Sequence, residues 1–320
     1  MHDDQVDISL DAARSLIHDQ FPHFAALPVT ACASSGTVNT IVRVGDRLAA
    51  RFPLRREDPC RVAEVLAAEA AAAERMAAIS PVPVPTVVGT GRPGAGFPMP
   101  WSVQTWLPGE VPTSTSHAMS VDFAVDLAEL ILALRAGDAR GETFRGDNRG
   151  GDLTSHDAWV EECLVKSRDL LDAALLERLW HDFRGLPSGR PDVLNHGDLI
   201  PANLLAHGGR LVGVLDPGGF GPADPSLDLV AAWHLLEAGP RLALREVVGS
   251  DDLEWARGKA WAFEQALGAV WYYLDSNRPM VELGAWTLRR IVEDETGDGQ
   301  ALAGPRSRLW EVLGVGADAP

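Results

Sequence analysis

Short hydrophobic runs separated by turn residues occupy the first third of the chain, a pattern typical of β-structure. Residues 29–52 contain three such runs, which predict two successive hairpins and a small antiparallel sheet. Residues 61–79 are rich in alanine, lack Gly and Pro, and repeat apolar side chains at helical spacing. Two further strands are predicted at 84–88 and 101–107, after an amphipathic start at 7–24. The pattern predicts a five-stranded unit with one main helix.

Beyond residue 107 the hydrophobic spacing becomes helical over long stretches. A polar, Gly-rich loop at 137–151, which contains Arg145 and Arg149, interrupts them and has the length of a functional lid or of a disordered connection. The chain is therefore predicted to be α+β, with an N-terminal domain over 1–106 and a mainly helical one over 107–320. The helices are predicted at 121–135, 156–183, 226–237, 252–273 and 281–293.

Charge and cysteine content exclude several classes of protein. Lys and Arg number 28 against 45 Asp and Glu, a formal net charge of −17, so a sequence-independent nucleic-acid binder is excluded. The acidity fits either a cationic substrate or a solubilising surface. The three cysteines, Cys32, Cys60 and Cys163, form no CxxC pair, which predicts no disulfide and no zinc framework. Without an apolar span or a signal-like start, we expect a cytoplasmic protein that does not contact membranes.

The stretch 194–219 carries the densest chemistry. If Gly208 and Gly209 form a two-residue hairpin loop, Asn203 faces Val214, and Asp216 returns beside the loop that precedes Asn203. Neighbouring strands lie about 4.8 Å apart, so the Asn203 amide oxygen and the Asp216 carboxylate are expected to share one cation. Oxygen ligands of this kind suit Mg²⁺ that also binds substrate phosphates.

Asp198 lies five residues before Asn203 and is the carboxylate that this predicted metal site does not use. A carboxylate that is not a ligand can accept the proton of a hydroxyl, which is the remaining requirement of phosphoryl transfer. We expect His196 to be a neutral, buried histidine that holds the loop by hydrogen bonds, and not a catalytic base. Asp224 and Asp228 are expected to cap and anchor rather than to bind metal.

Three ordered motifs in this part of the chain resemble the aminoglycoside phosphotransferase family of protein-kinase-like small-molecule kinases. They are His196-Gly-Asp198-Leu with Asn203, then Val214-Leu-Asp216, then a segment from Gly221 to Asp228. Upstream stretches at 36–39, 51–53, 91–98, 101–103 and 106–110 add to the resemblance, which covers residues 30–240. It implies a bilobal fold, with ATP between a small antiparallel β lobe and a larger helical lobe.

The resemblance also implies roles for individual residues. Asp198 would be the catalytic base, and Asn203 and Asp216 would hold Mg²⁺. Glu69 would be the helix carboxylate that positions a strand cation, with Glu64 or Glu74 as the alternatives in another register. The remaining nucleotide contacts would come from the phosphate-covering turn Ser34, Ser35, Gly36 and Thr37, and from the adenine-binding backbone around Gln104 and Trp106.

One residue departs from the family pattern. Related kinases commonly place a lysine on the third strand to bind phosphates, whereas this chain has only Lys166 and Lys259, both in its second part. Arg51 is the candidate that remains, since a guanidinium binds phosphate bidentately and stays charged. On a strand, the alternative role for Arg51 is an ordinary solvated charge.

The acceptor is predicted to be a small molecule with a hydroxyl group and positive charge. Acidic residues beside the Gly-rich loop are the predicted cation-binding patch, although a charged helix start gives the same pattern. These residues are Asp152, Asp157, Glu161 and Glu162.

Together these observations predict a phosphotransferase, dependent on ATP (or GTP) and Mg²⁺, that acts on an aminoglycoside-type antibiotic. Three alternatives stay open: a kinase of the same fold for a macrolide, another antibiotic or a metabolite; a nucleotide-binding protein without catalysis; and a metal-dependent hydrolase. The chain is expected to be a monomer or a dimer.

Overall fold

The computed structural model of the 320-residue chain describes residues 6–32, 39–146, 148–297 and 308–314. It divides into two compact units. The first unit comprises Met1–Pro108 together with a later segment, Gly213–Gly218. The second comprises Gly109–Val212 and Gly219–Pro320.

The first unit is built on a five-stranded sheet in which every pairing is antiparallel. Its spatial order is β1-β2-β3-β5-β4, so the first three strands are neighbours in chain order, whereas β5 lies between β3 and β4. This confirms the predicted sheet. The strands are β1 (Val29–Ala31), β2 (Asn39–Val44), β3 (Leu48–Pro53), β4 (Val87–Gly91) and β5 (Trp101–Thr105).

Two helices accompany this sheet, α1 (Leu10–Gln20) and α2 (Pro59–Ala77). Asp58 begins α2 as its N-cap, because its side chain accepts the Cys60 N–H, and the following proline lacks a donor that would need a partner. In the core, the Phe52 ring stacks on Trp101 with centroids 4.8 Å apart. Burial of these aromatic rings fixes the position of β3 against β5.

The second unit is mainly helical, as predicted. Its central helix is buried along most of its length although it carries charged residues, because those that are buried have partners: Arg257 pairs with Asp224 and Lys259 with Asp294. The helices are α3 (Val121–Arg135), α4 (Asp157–Ser167), α5 (Ala173–Arg184), α6 (Val230–Leu235), α7 (Ala238–Val248), α8 (Asp252–Tyr272), which is the central one, α9 (Arg278–Thr296) and α10 (Leu309–Leu313).

Two small strand pairs follow α5 in the chain. One joins β6 (Val193–Asn195) to β9 (Gly221–Ala223) in antiparallel register. The other is the predicted hairpin, β7 (Leu204–His207) and β8 (Arg210–Val214), and the division between the two units falls inside β8. Its loop, Gly208-Gly209, has φ of +58° and +80°, the two left-handed residues that a tight hairpin turn requires.

Two predicted helices differ from those observed. The predicted helix over 156–183 is two helices. The first ends at Ser167, and Asp172 caps the N-terminus of the second by accepting the Leu175 N–H. In the stretch 226–237 only α6 is α-helical, after a 3₁₀ turn at Leu227–Leu229. The helix α7 was not predicted, since Gly239 and Pro240 resemble a break. A proline in the first turn of a helix costs no internal hydrogen bond, so α7 forms.

None of the helices in the described ranges has both the length and the apolar composition that crossing a bilayer demands.

Candidate active site

The loop after β6 is shaped by a glycine. Gly197 has φ of +87°, and a Cβ there would lie 2.8 Å from the Gly219 carbonyl oxygen. A side chain at this position would therefore require both an unfavourable backbone conformation and movement of the facing chain. The loop passes close to residue 219 only because residue 197 is glycine.

Asp228 anchors the same loop through its side chain. Its carboxylate accepts the backbone N–H groups of His196 at 2.7 Å and Gly197 at 3.0 Å. Burial raises the pKa of Asp228, while His196 and the two backbone N–H groups act in the opposite direction. The His196 ring is fully buried, and its Nδ1 accepts the Asp198 N–H at 3.3 Å. Both residues thus hold the loop, the roles expected from the sequence.

Asp198 projects from this loop and is bonded on both carboxylate oxygens. Its Oδ1 accepts one hydrogen bond from Arg149 Nη2 at 2.9 Å and another from Gln265 Nε2 at 2.7 Å. Its Oδ2 accepts one from Asn203 Nδ2 at 3.0 Å. The carboxylate is therefore fixed in direction by three donors from three different segments of the second unit.

The amide of Asn203 has a defined orientation. Its Nδ2 donates to the Asp198 backbone carbonyl at 2.9 Å as well as to the carboxylate, and both of these partners are acceptors only. The NH₂ group must face Asp198, so the amide oxygen points to the other side of the planar group. An outward amide oxygen is what the predicted metal-ligand role of Asn203 requires.

A pocket of about 620 Å³ opens beside Asp198 within the second unit. Its wall combines the carboxylates of Asp198 and Glu264 with the guanidinium of Arg149. The aromatic side chains of Phe144 and Trp159 line it as well. The pocket can therefore offer charge, hydrogen bonds and an apolar surface to a drug-sized molecule.

A buried ion pair forms part of this wall. His156 Nδ1 lies 3.0 Å from Glu264 Oε1, and both residues are less than a tenth exposed. The hydrogen bond to Glu264 raises the pKa of His156, with burial acting against it. Arg149 Nη1 lies 3.8 Å from the other Glu264 oxygen. One guanidinium therefore interacts with both pocket carboxylates, Asp198 and Glu264.

The first unit holds a second ionic cluster, centred on Arg51 of β3. Arg51 Nη1 lies 3.4 Å from Glu69 Oε2, and Nη2 lies 3.7 Å from Asp216 Oδ1. Burial raises the pKa of Glu69; Arg51 lowers it and Asp216 raises it further. Glu64 and Glu74, the alternatives to Glu69, are exposed on α2. The structure thus pairs Arg51 with the helix carboxylate that the sequence favoured.

Asp216 has φ of +52°, a left-handed conformation that is unfavourable for a residue with a side chain. Its side chain is half exposed, so its carboxylate keeps access to solvent beside Arg51. An accessible carboxylate and an outward amide oxygen are ligands that fit Mg²⁺. Asp216 belongs to the first unit and Asn203 to the second, and their shared metal ion stays a prediction.

The predicted nucleotide contacts have different outcomes. Ser34, Ser35, Gly36 and Thr37 lie outside the described residues. Gln104 lies inside the sheet, paired with Ala49 on one side and Val87 on the other. Trp106 follows the end of β5, where its backbone N–H donates to the Arg47 carbonyl and its ring packs under the Arg43 guanidinium, 4.2 Å away. Adenine binding by this segment stays a prediction.

The predicted acidic patch does not form part of the pocket wall in the described chain. Asp157 instead accepts hydrogen bonds from Trp180 at 2.9 Å and from Arg184 at 2.8 Å, and these lower its pKa, the bond from Arg184 most. Asp152 caps the turn at Leu153–His156 by accepting the Thr154 N–H. Glu161 and Glu162 are exposed on α4. The geometry of Asp152 and Asp157 therefore matches the helix-start alternative.

Sequence reasoning missed Glu264, Gln265 and His156, and gave Arg149 no partner. The first two had a recognisable signal. They are adjacent polar residues in the middle of an otherwise apolar stretch, 260–270, of a buried helix. Polar side chains at such positions need partners, and both find theirs at the pocket or at Asp198.

Among the described residues, no group of three or more His, Cys, Asp or Glu side chains could hold a metal ion. Asp224, one of the aspartates of the hydrolase alternative, is bonded to Ser226 and Arg257. The described residues therefore give no support to a hydrolase built on several converging metal ligands.

A loop that fixes one carboxylate beside a pocket, together with a strand arginine paired to a helix carboxylate, is the arrangement of kinase-like enzymes. Comparison with known proteins agrees, since residues 32–261 match the phosphotransferase enzyme family. The chain belongs to this family. A segment of 72 residues is 38% identical to the aminoglycoside 3'-phosphotransferase of Escherichia coli, a match that spans 22% of this chain and 27% of that relative.

Solved structures share the fold over nearly the whole chain. A GDP complex of wild-type aminoglycoside 2'-phosphotransferase-IIIa matches with a TM-score of 0.66 and 18% identity, over 90% of this chain and all of the other. Macrolide 2'-phosphotransferase MphH from Brachybacterium faecium matches with a TM-score of 0.59 and 20% identity, over 86% and 98% of the two chains. The predicted α+β, protein-kinase-like fold is confirmed.

Proposed function

We propose that this protein is a small-molecule kinase that transfers the γ-phosphoryl group of ATP to a hydroxyl group, with Mg²⁺ as cofactor. The observation that carries the proposal is the setting of Asp198, a carboxylate held by three donors at the edge of a pocket. A fixed carboxylate facing space for an alcohol is suited to orient the hydroxyl and to accept its proton. Family membership supports the same reaction.

The chain's other residues supply binding and charge. Arg51 neutralises the phosphates that are not transferred, and Glu69 keeps its guanidinium in place. Asn203 and Asp216 are the residues that would hold Mg²⁺, which when bound neutralises charge on the phosphate oxygens. We assign nucleotide binding to residues 1–106, with Gln104, Trp106 and residues 34–37, and catalysis and acceptor binding to 107–320. GTP is the alternative donor, since an aminoglycoside phosphotransferase of the same fold was solved with GDP.

For the acceptor we propose a cationic compound of the aminoglycoside type. In the pocket, Asp198 and Glu264 together attract one guanidinium, that of Arg149. The formal net charge of −17 also favours the approach of a cationic acceptor. The partial match to an aminoglycoside 3'-phosphotransferase supports this class.

A macrolide is the second candidate, favoured by a different observation. Phe144 and Trp159 give the pocket wall an aromatic surface, which suits a largely apolar ring system with one amino group. A macrolide phosphotransferase is among the proteins that share the fold.

The direct test is product formation. Purified protein is incubated with ATP, Mg²⁺ and one acceptor at a time from a panel of aminoglycosides, macrolides and amino alcohols, and each acceptor is analysed by mass spectrometry for added phosphate. We expect phosphorylation of one class and none after chelation of the divalent ion. Tight nucleotide binding without product from any acceptor would instead identify a nucleotide-binding protein without transfer activity.

A further inference from the structure

Gln265 connects the proposed catalytic base to a buried chain of polar side chains. Its Nε2 donates to Asp198 Oδ1 at 2.7 Å, and its Oε1 lies 3.0 Å from His234 Nε2. On the far side of the imidazole, His234 Nδ1 lies 2.9 Å from Thr287 Oγ1. His234 and Thr287 are both fully buried. The chain therefore runs from α9 through α6 and α8 to the loop that carries Asp198.

The direction of each hydrogen bond in this series of side chains follows from the bonds at Asp198, which is one end of the series. Asp198 Oδ1 also accepts a hydrogen bond from Arg149 Nη2, and a guanidinium only donates, so this oxygen is the acceptor for both of its partners. The NH₂ group of Gln265 must face Asp198, so its carbonyl oxygen faces His234 and needs a donor there. His234 therefore carries its proton on Nε2 and accepts at Nδ1.

Thr287 supplies the last donor. Burial lowers the pKa of His234 to about 4, so the ring is neutral near pH 7 and has a single N–H. The Thr287 hydroxyl has a single proton and two acceptors in reach, the Leu283 carbonyl at 2.7 Å and His234 Nδ1 at 2.9 Å. We assign the proton to His234 Nδ1, because this nitrogen has no other donor among the described residues, whereas the Leu283 carbonyl, four residues earlier in α9, already accepts the helical N–H of residue 287.

The two oxygens of Asp198 differ as a result. Each oxygen of a carboxylate has two lone pairs. Oδ1 receives two donors, Gln265 and Arg149, whereas Oδ2 receives one, from Asn203. One lone pair of Oδ2 therefore remains for an incoming hydroxyl.

We propose that Gln265 is a positioning residue, held by His234 and Thr287, that saturates Oδ1 of Asp198 and so leaves Oδ2 to accept the acceptor's proton. The proposal rests on the role of Asp198 proposed above. On transfer, the hydroxyl oxygen forms the new bond to phosphorus, the bond from phosphorus to the leaving oxygen of the nucleotide breaks, and the hydroxyl proton passes to Oδ2.

The first test needs no turnover. In ligand-free protein labelled with ¹⁵N at histidine, nitrogen chemical shifts distinguish the two neutral imidazole tautomers, and the variant His234→Phe assigns the signal. We expect His234 to be protonated at Nε2 and not at Nδ1. The opposite tautomer would turn the Gln265 amide around and overturn the proposal, whatever reaction the protein catalyses.

The second test separates positioning from stability. Gln265→Leu keeps a side chain of similar size without the amide, and should lower kcat about 10- to 100-fold while nucleotide Kd and acceptor KM change less than about twofold. The matched control is Gln20→Leu, which removes another glutamine bonded through both amide atoms, in this case to the backbone of Arg92. Equal kcat values for the two variants would contradict the proposal.

Thr287 provides a conservative rescue in case Gln265→Leu fails to fold. Thr287→Val removes the terminal hydroxyl at nearly constant volume and should lower kcat, whereas Thr287→Ser retains the hydroxyl and should restore it. Thermal midpoints of both variants are measured in parallel. If kcat changed in parallel with the thermal midpoint and not with the presence of the hydroxyl, Thr287 would have a structural role only. The proposed link from Thr287 through His234 and Gln265 to Asp198 would then be wrong. Absence of turnover in the unmodified protein would count against the proposed function. The tautomer of His234 would still test the series of hydrogen bonds from Thr287 to Asp198.

Discussion

The two units contain two arginine–carboxylate clusters that differ in how tightly they are bonded. In the first unit, Arg51 lies 3.4 Å from Glu69 and 3.7 Å from Asp216, distances too long for strong hydrogen bonds. In the second unit, the three donors to the Asp198 carboxylate lie between 2.7 and 3.0 Å away. The loosely bonded guanidinium keeps the capacity to bind an anion, whereas the tightly bonded carboxylate keeps its direction.

This contrast has a physical reason. A group that binds phosphate must exchange its partners when the ligand arrives, so strong internal bonds would oppose binding. A group that accepts a proton must already point at the reacting atom, so its supporting bonds must be short and numerous. We expect substitutions in the first cluster to change nucleotide affinity and substitutions in the second to change turnover.

The largest effect should come from Asp198→Ala. Loss of the proposed base should lower kcat by about 10²- to 10⁴-fold, with nucleotide Kd nearly unchanged, because the cluster around Arg51 is intact. Steady-state kinetics and titration with a non-hydrolysable nucleotide measure the two quantities. The control is Asp252→Ala, which removes a fully exposed aspartate that also pairs with an arginine. Turnover in Asp198→Ala close to that of the control would remove Asp198 from the mechanism.

A smaller effect, in the opposite parameter, is expected at Arg51. Arg51→Ala should weaken nucleotide binding by about 10- to 100-fold, since a charge-assisted contact to phosphate is lost. Arg51→Lys should recover part of that affinity, as lysine keeps the charge without the fork of two donors. Arg47→Ala, at the exposed turn between β2 and β3, is the matched control. If Arg51→Ala lowered kcat alone, the assignment of the two clusters to different parameters would be wrong.

Stability should depend on pH through His156 in the second unit. Its bond to Glu264 raises its pKa, so the charged form contributes fully below the ordinary histidine value and is lost as pH rises through the raised one. Between about pH 6 and about pH 9, the thermal midpoint of the wild type should therefore fall more than that of His156→Gln, by on the order of 2 °C. Parallel slopes for the two proteins would show that the pair is not linked to folding.

The smallest expected effect is a difference in chemical reactivity between two cysteines, one in each unit. Cys60 is exposed at the start of α2, whereas burial raises the pKa of Cys163 to about 12. A thiolate is the reactive species, so an alkylating reagent near pH 8 should modify Cys60 quickly and Cys163 only after unfolding. Peptide mapping by mass spectrometry identifies the labelled residue. Rapid labelling of Cys163 in the folded protein would show that α4 opens locally.

Local pattern was sufficient for the strands and for the loop that carries Asp198. Alternation and turn residues predict the strands because each contributes one apolar face to a single core. The hairpin at Gly208-Gly209 follows from a two-residue loop whose geometry allows few alternatives. The roles of Asp228 and His196 followed from the same stretch, where the interacting residues are close in sequence or belong to one motif.

Features that depend on distant partners were not predicted. Gln265 bonds Asp198 across 67 positions of the sequence, and His156 bonds Glu264 across 108. The sequence around these residues does not identify their partners. Two polar residues in the apolar middle of α8 indicate only that partners exist. Asp157 likewise has partners, Trp180 and Arg184, that lie 23 and 27 positions away in the sequence.

The membership of Gly213–Gly218 in the first unit affects the order in which the protein can fold during synthesis. A ribosome that has just released Pro108 has made the whole five-stranded sheet but not Asp216, one of the two carboxylates beside Arg51. The N-terminal unit therefore cannot be completed until about half of the helical unit has been translated, and a nascent chain that ends before residue 213 lacks the segment whose Val214 N–H donates to the Pro83 carbonyl.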